Sequence, residues 1–249
     1  MLLDGKIAIV TGAGSARGIG RAIAKLFAEH GARVAALDID GTAAAQLAAE
    51  LGPAHRGYRC DVRLADEVTA AFAQVAAELG PPDILVNNAG ITSPTKIADV
   101  TQADYDAVMD VNLRGSFLCS QAVLPYMRQL GRGSIICISS ISAKRGGGVF
   151  GASVYSAAKA GILGLTRALA RELASEQIRV NAVAPGPVDT DIFGGQMTAE
   201  RKEELVRSIP LGRLGQPIDV ARACLFFASE LSDYITGEVM DVNGGLHID

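Results

Sequence analysis

The sequence predicts a single-domain, doubly wound α/β fold: a parallel sheet of about seven strands with helices on both faces. Short β-branched apolar runs alternate with longer segments of helical period along all 249 residues. No linker, repeat or low-complexity tract interrupts that order, so one large core is the expectation. A glycine-rich turn separates the first apolar run from the first helical segment.

Composition narrows the class further. Hydrophobic residues make up 49% of the chain, yet no apolar run approaches the roughly 18 residues a membrane span needs. The excess suits a large core and buried subunit interfaces. The start, "MLLDGKIAIVTG", carries Asp4 and Lys6 around only a short apolar stretch, which does not read as a secretory signal, and a cytoplasmic location is expected. The net charge is −4 with 23 scattered basic residues, so no nucleic-acid footprint is present. Cys60, Cys119, Cys137 and Cys224 are far apart in apolar contexts and read as buried thiols. His30, His55 and His247 show no ligand spacing, so no metal site is expected.

The first strand, "KIAIVTG", opens the turn "TGAGSARGIG", which holds Gly12, Gly14, Gly18 and Gly20. A helix follows, with Ile23, Leu26 and Phe27 on one side. Strand, glycine turn and helix in that order place free helix amides against a pyrophosphate, which is a dinucleotide site of Rossmann type. The second strand, "ARVAALD", ends at Asp38, eighteen positions beyond Gly20. A carboxylate there binds the adenosine ribose and repels a 2′-phosphate, which favours NAD over NADP. Arg17 in the turn could pair with a phosphate, but a carboxylate beside the 2′ position opposes it more directly.

After the helix "GTAAAQLAAELG" comes the strand "RGYRC", leading to Asp61 and Val62. Asp61 either meets the ligand at the strand end or caps the helix over 65–79. The fourth strand, "DILVNNAG", ends in Asn87, Asn88, Ala89 and Gly90, amides and small residues that can line a cofactor. A helical pattern runs from Thr101, its N-cap, to about Leu130, with Pro125 as a bend or boundary. Asn112 lies within it beside Val111 and Leu113, either structurally hydrogen-bonded or functional.

The fifth strand, "GSIICIS", ends at Ser139 and Ser140, and a glycine-bearing loop leads to Tyr155. Tyr155 and Lys159 are four apart on a helix running to about Glu176, so phenol and ammonium share a face. A nearby cation stabilises phenolate and lowers a pKa that is about 10 in the free side chain. The sixth strand, "IRVNAVAP", meets a turn at Pro185 and Gly186, with Thr190 beyond it. Residues 191–210 suit a lid over a substrate, the alternative being a surface helix pair. A helix, "PIDVARACLFFASE", and the strand "EVMDVNGG" complete the order.

Taken together, "TGAGSARGIG", "NNAG", Asn112, "ISS", "YSAAK", "PGPVDT" and "YITGEVMDVNGG" resemble the short-chain dehydrogenase/reductase family in its compact form, over essentially the whole chain. The resemblance implies that Tyr155 is the general acid/base and that Lys159 lowers its pKa and holds the nicotinamide ribose. It implies that Ser140 binds the reacting oxygen and that Asn112 holds a water joining Lys159 to solvent. Gly12, Gly18 and Gly20 would carry the pyrophosphate turn with Arg17 and Ile19 beside them. Asp38 would take the adenosine ribose, and Asp61 and Val62 the adenine. Asn88, Ala89 and Gly90 would line the cleft, and Pro185, Gly186, Val188 and Thr190 would hold the carboxamide side.

Two spacings depart from the family. Five residues separate Gly12 from Gly18 where the family has three, so the turn should bulge. The family serine usually stands 13 residues before the tyrosine; strand alignment selects Ser140, whereas counting back selects Ser142. Ser140 is preferred, because a strand end fixes position and loops absorb insertions. The expected pocket comprises Thr92, Pro94, Ile141, Ser142, Phe150, Pro187 and Phe193. Its mixed lining suits a small neutral alcohol, a polyol or a sugar-like molecule, with Lys144 and Arg145 either solvated or facing an anionic tail. The alternatives are an NADPH-dependent 3-oxoacyl-thioester reductase and a nucleotide-binding or structural protein without turnover. Small and apolar residues around the Tyr155 helix suggest a homo-oligomer, a tetramer or dimer.

Overall fold

The computed structural model describes residues 1–147, 151–191 and 198–248. Seven parallel strands form one sheet in the order β3-β2-β1-β4-β5-β6-β7: β1 (Ile7–Thr11), β2 (Arg33–Asp38), β3 (Arg56–Arg59), β4 (Ile84–Asn87), β5 (Gly133–Ile138), β6 (Ile178–Pro185) and β7 (Val239–Val242). The chain winds outward from β1 to β3, then returns to place β4 beside β1. That reversal opens a crevice at the carboxyl ends of β1 and β4, where sheets of this kind bind ligands.

The central strands β1 and β4 are buried at every position because helices cover both faces, and their only polar residues, Thr11 and Asn87, stand at the carboxyl ends. On one face, α1 (Ile19–Glu29) and α9 (Pro217–Ala228) bury Ile23, Phe27, Val220 and Phe227, joined by Leu47 of α2 (Gly41–Leu51). On the other, α3 (Ala65–Glu78), α5 (Gly115–Leu130) and α7 (Ser153–Leu173) bury Phe72, Val75, Val123, Met127 and Ile162. Local chemistry sets several helix starts. The Asp40 carboxylate accepts from the amides of Thr42 and Ala43 ahead of α2. Thr101 and Asp104 form a reciprocal capping box at the start of α4 (Gln102–Met109).

The helical pattern expected from Thr101 to about Leu130 forms as α4, a π turn at Asp110–Arg114 and α5, one after another without a break. The π turn holds Asn112. Its amide donates to the carbonyl of Val108, the acceptor an α-helical ladder would give to the Asn112 backbone, and also to that of Ile91. The helix widens by one residue there. Pro125 lies inside α5 and does not end it.

All four cysteines are free and buried. Among the described residues, no cluster of His, Cys, Asp or Glu could hold a metal, and no helix is long and apolar enough to cross a membrane.

Candidate active site

At the carboxyl ends of the strands lies a cavity of about 1000 Å³. One end of it is built on backbone proximity. Gly12 holds a φ of +64°, and a Cβ there would stand 2.7 Å from the Ala89 Cα, so only glycine fits both the conformation and the space. Asn88 fastens the turn by donating from its amide to the carbonyls of Thr11 and Gly12, both at 2.9 Å. Gly14 N donates to Asp38 Oδ2 at 2.7 Å, and Asp40 N to Asp38 Oδ1 at 3.0 Å. These bonds aim the carboxylate at the turn.

The turn bulges as its length predicts: Ser15, Ala16 and Arg17 are exposed. The Arg17 guanidinium does not line the cavity. It pairs with Asp189 at 2.6 Å and lies 3.7 Å from Asp191. Gly20 also stands off the surface, pressed beneath the turn against the Gly12 carbonyl and Asn88. The remaining expected cofactor residues all line the cavity: Gly12, Gly18, Ile19, Asp38, Asp61, Val62, Asn88, Ala89, Gly90, Tyr155, Lys159, Pro185, Gly186, Val188 and Thr190. Asp61 does not cap α3 with its side chain. Both its oxygens take the Arg63 guanidinium, at 2.6 to 3.0 Å, and this pairing holds its carboxyl below the usual range against the opposing effect of burial.

At the other end of the cavity, Tyr155 and Ser140 both line the wall, and the Ser140 hydroxyl acts on the Tyr155 phenol. Ser140 stands at the end of β5, its Oγ accepting from Ser142 N at 3.1 Å. Ser142 begins α6 (Ser142–Arg145), is buried, and lines the cavity. Lys159 is buried as well; its Nζ donates to the Ile138 carbonyl at 2.8 Å and lies 5.8 Å from the Tyr155 ring centroid. The side-chain oxygen of Asn112, Oδ1, is buried without a hydrogen-bond partner among the described residues. A Cβ on Gly90 would come 2.7 Å from that oxygen and 3.3 Å from Lys159 Nζ, so both polar ends converge on one glycine.

The expected lowering of the Tyr155 pKa by Lys159 is not what this geometry produces. Burial pushes the phenol up, and the opposing influence is the Ser140 hydrogen bond. The lysine ammonium is directed at a backbone carbonyl, and desolvation drops its own pKa to about 8.

Of the expected pocket, Thr92, Ile141, Ser142 and Pro187 line the cavity. Pro94 is exposed and does not; Ser93 is pinned by Ala152 N, which donates to its carbonyl, and the chain turns outward there. Phe150 and Phe193 lie outside the described residues, as does 192–197 of the expected lid. The rest of that segment contains α8 (Ala199–Ser208), whose Leu205 and Ser208 line the cavity. Leu246, near the chain end, is a wall residue that no sequence pattern marked.

The sequence model described as enoyl-(acyl carrier protein) reductase matches residues 12–247. The chain is 53% identical to an uncharacterized short-chain type dehydrogenase/reductase of Sinorhizobium fredii, covering all of both chains. It is 41% identical to a 3-oxoacyl-[acyl-carrier-protein] reductase of Thermotoga maritima, again over all of both. It is 42% identical to a (3R)-3-hydroxyacyl-CoA dehydrogenase of Mus musculus, over 98% of this chain and 97% of that one. A crystal structure of a short-chain type dehydrogenase/reductase from Mycobacterium marinum superposes with a TM-score of 0.93 at 36% identity, covering 99% of this chain and 97% of that one. Fold, site and relatives together define an NAD(P)-dependent oxidoreductase acting on CH–OH groups. The chain belongs to the short-chain dehydrogenase/reductase family.

The buried Lys159 makes stability depend on pH. An ordinary lysine titrates near 10.5 and this one at about 8, so between those values the unfolded chain binds the extra proton. Stability therefore rises with pH across that window. Relative to Lys159→Met, the wild-type protein should gain stability from pH 8 to 10.5 and show a constant difference below pH 8. Urea midpoints of both proteins across that range measure this, and a difference that stays flat or moves the other way contradicts it.

Proposed function

We propose that the protein is an NAD(H)-dependent oxidoreductase that interconverts a secondary alcohol and its ketone. The observation that carries this reading is one cavity with the Asp38 carboxylate at one end and the Tyr155–Ser140 pair at the other. A nicotinamide dinucleotide fits the residues present: a turn with no room for side chains, and an orphaned Asn112 oxygen beside Lys159. Gly12, Gly18 and Ile19 would hold its pyrophosphate, Asp38 and Asp61 its adenosine, and Lys159 with Val188 and Thr190 its nicotinamide half. Once bound, the dinucleotide supplies or accepts the hydride.

The chain's own residues manage the proton. Tyr155 gives its phenolic proton to the carbonyl oxygen in reduction and takes it back in oxidation. Ser140 holds that oxygen within reach of the phenol. Lys159 and the Asn112 carbonyl oxygen connect the phenol with solvent protons through water. In this assignment Ser140→Ala lowers kcat about 10²- to 10³-fold, whereas Ser142→Ala changes it only a few-fold. Steady-state kinetics of the two variants decide between the serines, and the reverse order of effects overturns the choice.

The preference for NAD over NADP rests on Asp38 and on the pairing of Arg17. The one cation in the glycine turn is already held by Asp189 and Asp191, so a 2′-phosphate would meet a carboxylate and gain no partner in the turn. Asp38→Ser should reduce the ratio of kcat/KM for NADH to that for NADPH by about tenfold or more, one unit charge being worth at least ~1.4 kcal/mol here. A ratio unchanged by the substitution removes the argument.

A second substrate reading, a 3-oxoacyl or 3-hydroxyacyl thioester, is favoured by the names of two relatives at 41% and 42% identity. The apolar walls Ile91, Ile141, Leu205 and Leu246 suit an acyl chain as well as a small alcohol. In this reading α8, which supplies Leu205 and Ser208 to the cavity wall, covers the substrate. The molecule also presents a hollow where α4, the π turn, α5 and α7 meet, lined by Met109, Leu113, Phe117 and Leu165 with the charged Asp110 and Arg114 beside them, and Phe117 is exposed. That face joins copies of the chain into a dimer or tetramer; sedimentation should show a larger species that Phe117→Asp dissociates, and a wild-type monomer contradicts it.

A further inference from the structure

Among the described residues, three basic side chains line the cavity: Arg63, Lys159 and Arg145. Arg63 is engaged by both oxygens of Asp61. Lys159 is buried against the Ile138 carbonyl. Arg145 differs from both. It is exposed, its guanidinium has no ion pair among the described residues, and its single hydrogen bond there is a 3.4 Å contact to the Leu246 carbonyl.

Its neighbour shows that this is a matter of direction and not a shortage of acids. Successive helical residues point about 100° apart. Lys144 accordingly turns away to Asp241, whose Oδ2 accepts at 2.7 Å, while Arg145 is left facing the cavity. Gly146, with a φ of +77°, ends α6 directly after it and sets the arginine on the last residue of the turn. A helix C-terminus favours a cation there, but that attraction leaves the fork of guanidinium donors unused.

Arg145 also stands at the substrate end of the cavity. It follows Ser140 by five residues, and the helical rise of ~1.5 Å per residue keeps their backbones within roughly one to two turns of each other. Between them the wall is Ile141 and Ser142, with Leu246 alongside. A substrate whose reacting oxygen meets Ser140 and Tyr155 would reach Arg145 with a group several bonds away. A guanidinium presents paired donors that match a carboxylate or phosphate.

We propose that Arg145 anchors an anion subsite, and that the substrate is an alcohol or ketone carrying an oxyanion beyond the reacting carbon. The proposal rests on the placement of the reacting oxygen at Ser140 and Tyr155. The anion has two sources, a carboxylate on the substrate's own chain or a phosphate on the carrier of a thioester, and both use the same recognition.

Two matched pairs test it with NADH or NADPH: 5-oxohexanoate against its methyl ester, and acetoacetyl-CoA against the neutral acetoacetyl-N-acetylcysteamine. Arg145→Gln should raise KM about 10- to 100-fold for the anionic member of one pair. The kcat for that compound, and both constants for its neutral partner, should stay within about twofold. Arg145→Lys should recover part of the loss, and the pair that responds identifies the source. Equal effects on charged and neutral members, or no effect on any, overturn the proposal. If the wild-type protein turns over none of the four, the substrate reading has failed separately. Calorimetric titration of hexanoate and of CoA into the NAD-loaded protein then decides the subsite: weaker binding to Arg145→Gln supports it, and equal or absent binding refutes it.

Discussion

The structure depends on how closely the end of β1 approaches the end of β4. The Thr11 hydroxyl donates to the Val86 carbonyl and accepts from the amides of Asn88 and Ala89, at 3.0 to 3.2 Å. The Asn88 amide answers by holding the Thr11 and Gly12 carbonyls. One hydroxyl and one carboxamide thus satisfy the backbone groups that two diverging parallel strands would leave orphaned. Because the two chains meet this closely, a side chain at Gly12 or Gly20 would strike backbone or Asn88. The glycines serve the meeting of the strands as much as the approach of a phosphate.

The same junction places the polar groups at the substrate end. Gly90 follows Ala89 directly, and the Asn112 oxygen and Lys159 Nζ crowd the space a Cβ would take there. Asn112 sits in the π turn, with its side-chain amide donating to the carbonyls of Val108 and Ile91. Lys159 is delivered by α7, whose carbonyl at the same residue accepts from Ser139 Oγ at 2.8 Å. That bond ties the helix bearing Tyr155 to the strand end bearing Ser140. A distance between phenol and serine that loop residues alone would leave free is thereby fixed by a strand and a helix.

This explains what could be read in the sequence. Seven strands, their parallel order and the covered faces follow from apolar runs separated by helical segments, and the site residues at strand ends were legible because the sheet fixes where strands stop. Ser140 is one such residue, two positions past the last residue of β5, and it lines the cavity together with Tyr155. Side-chain direction was not legible. Whether Arg17 faced the ribose depended on carboxylates some 170 positions away, Asp189 and Asp191. Asp61 offered no sign that Arg63 would occupy both its oxygens, and Leu246 reaches the cavity through tertiary folding of the last turn. The environment of Tyr155 shows the same limit: helical spacing brings Lys159 to its face, but the Ile138 carbonyl holds the ammonium and burial pushes the phenol up.

The two departures from the family spacing have a common physical consequence. The lengthened glycine turn sends Ser15 Oγ and Arg17 N to one oxygen of Asp191, while the Arg17 guanidinium and Lys202 of α8 share the carboxylate of Asp189. Exposed ion pairs of this kind contribute roughly 0–1 kcal/mol each, so their effect on global stability is small. Their position matters more, because they connect the turn over the cofactor end with the root of α8 at the opposite rim. The lengthened loop after Ser140 acts at the substrate end, where α6 directs Lys144 into the fold and Arg145 toward the cavity. Insertions were accommodated at the rim, where loop closure is inexpensive, and the strand ends that set the reacting geometry were left unchanged. Selectivity for cofactor and substrate can therefore vary on this scaffold without moving Tyr155 relative to Ser140.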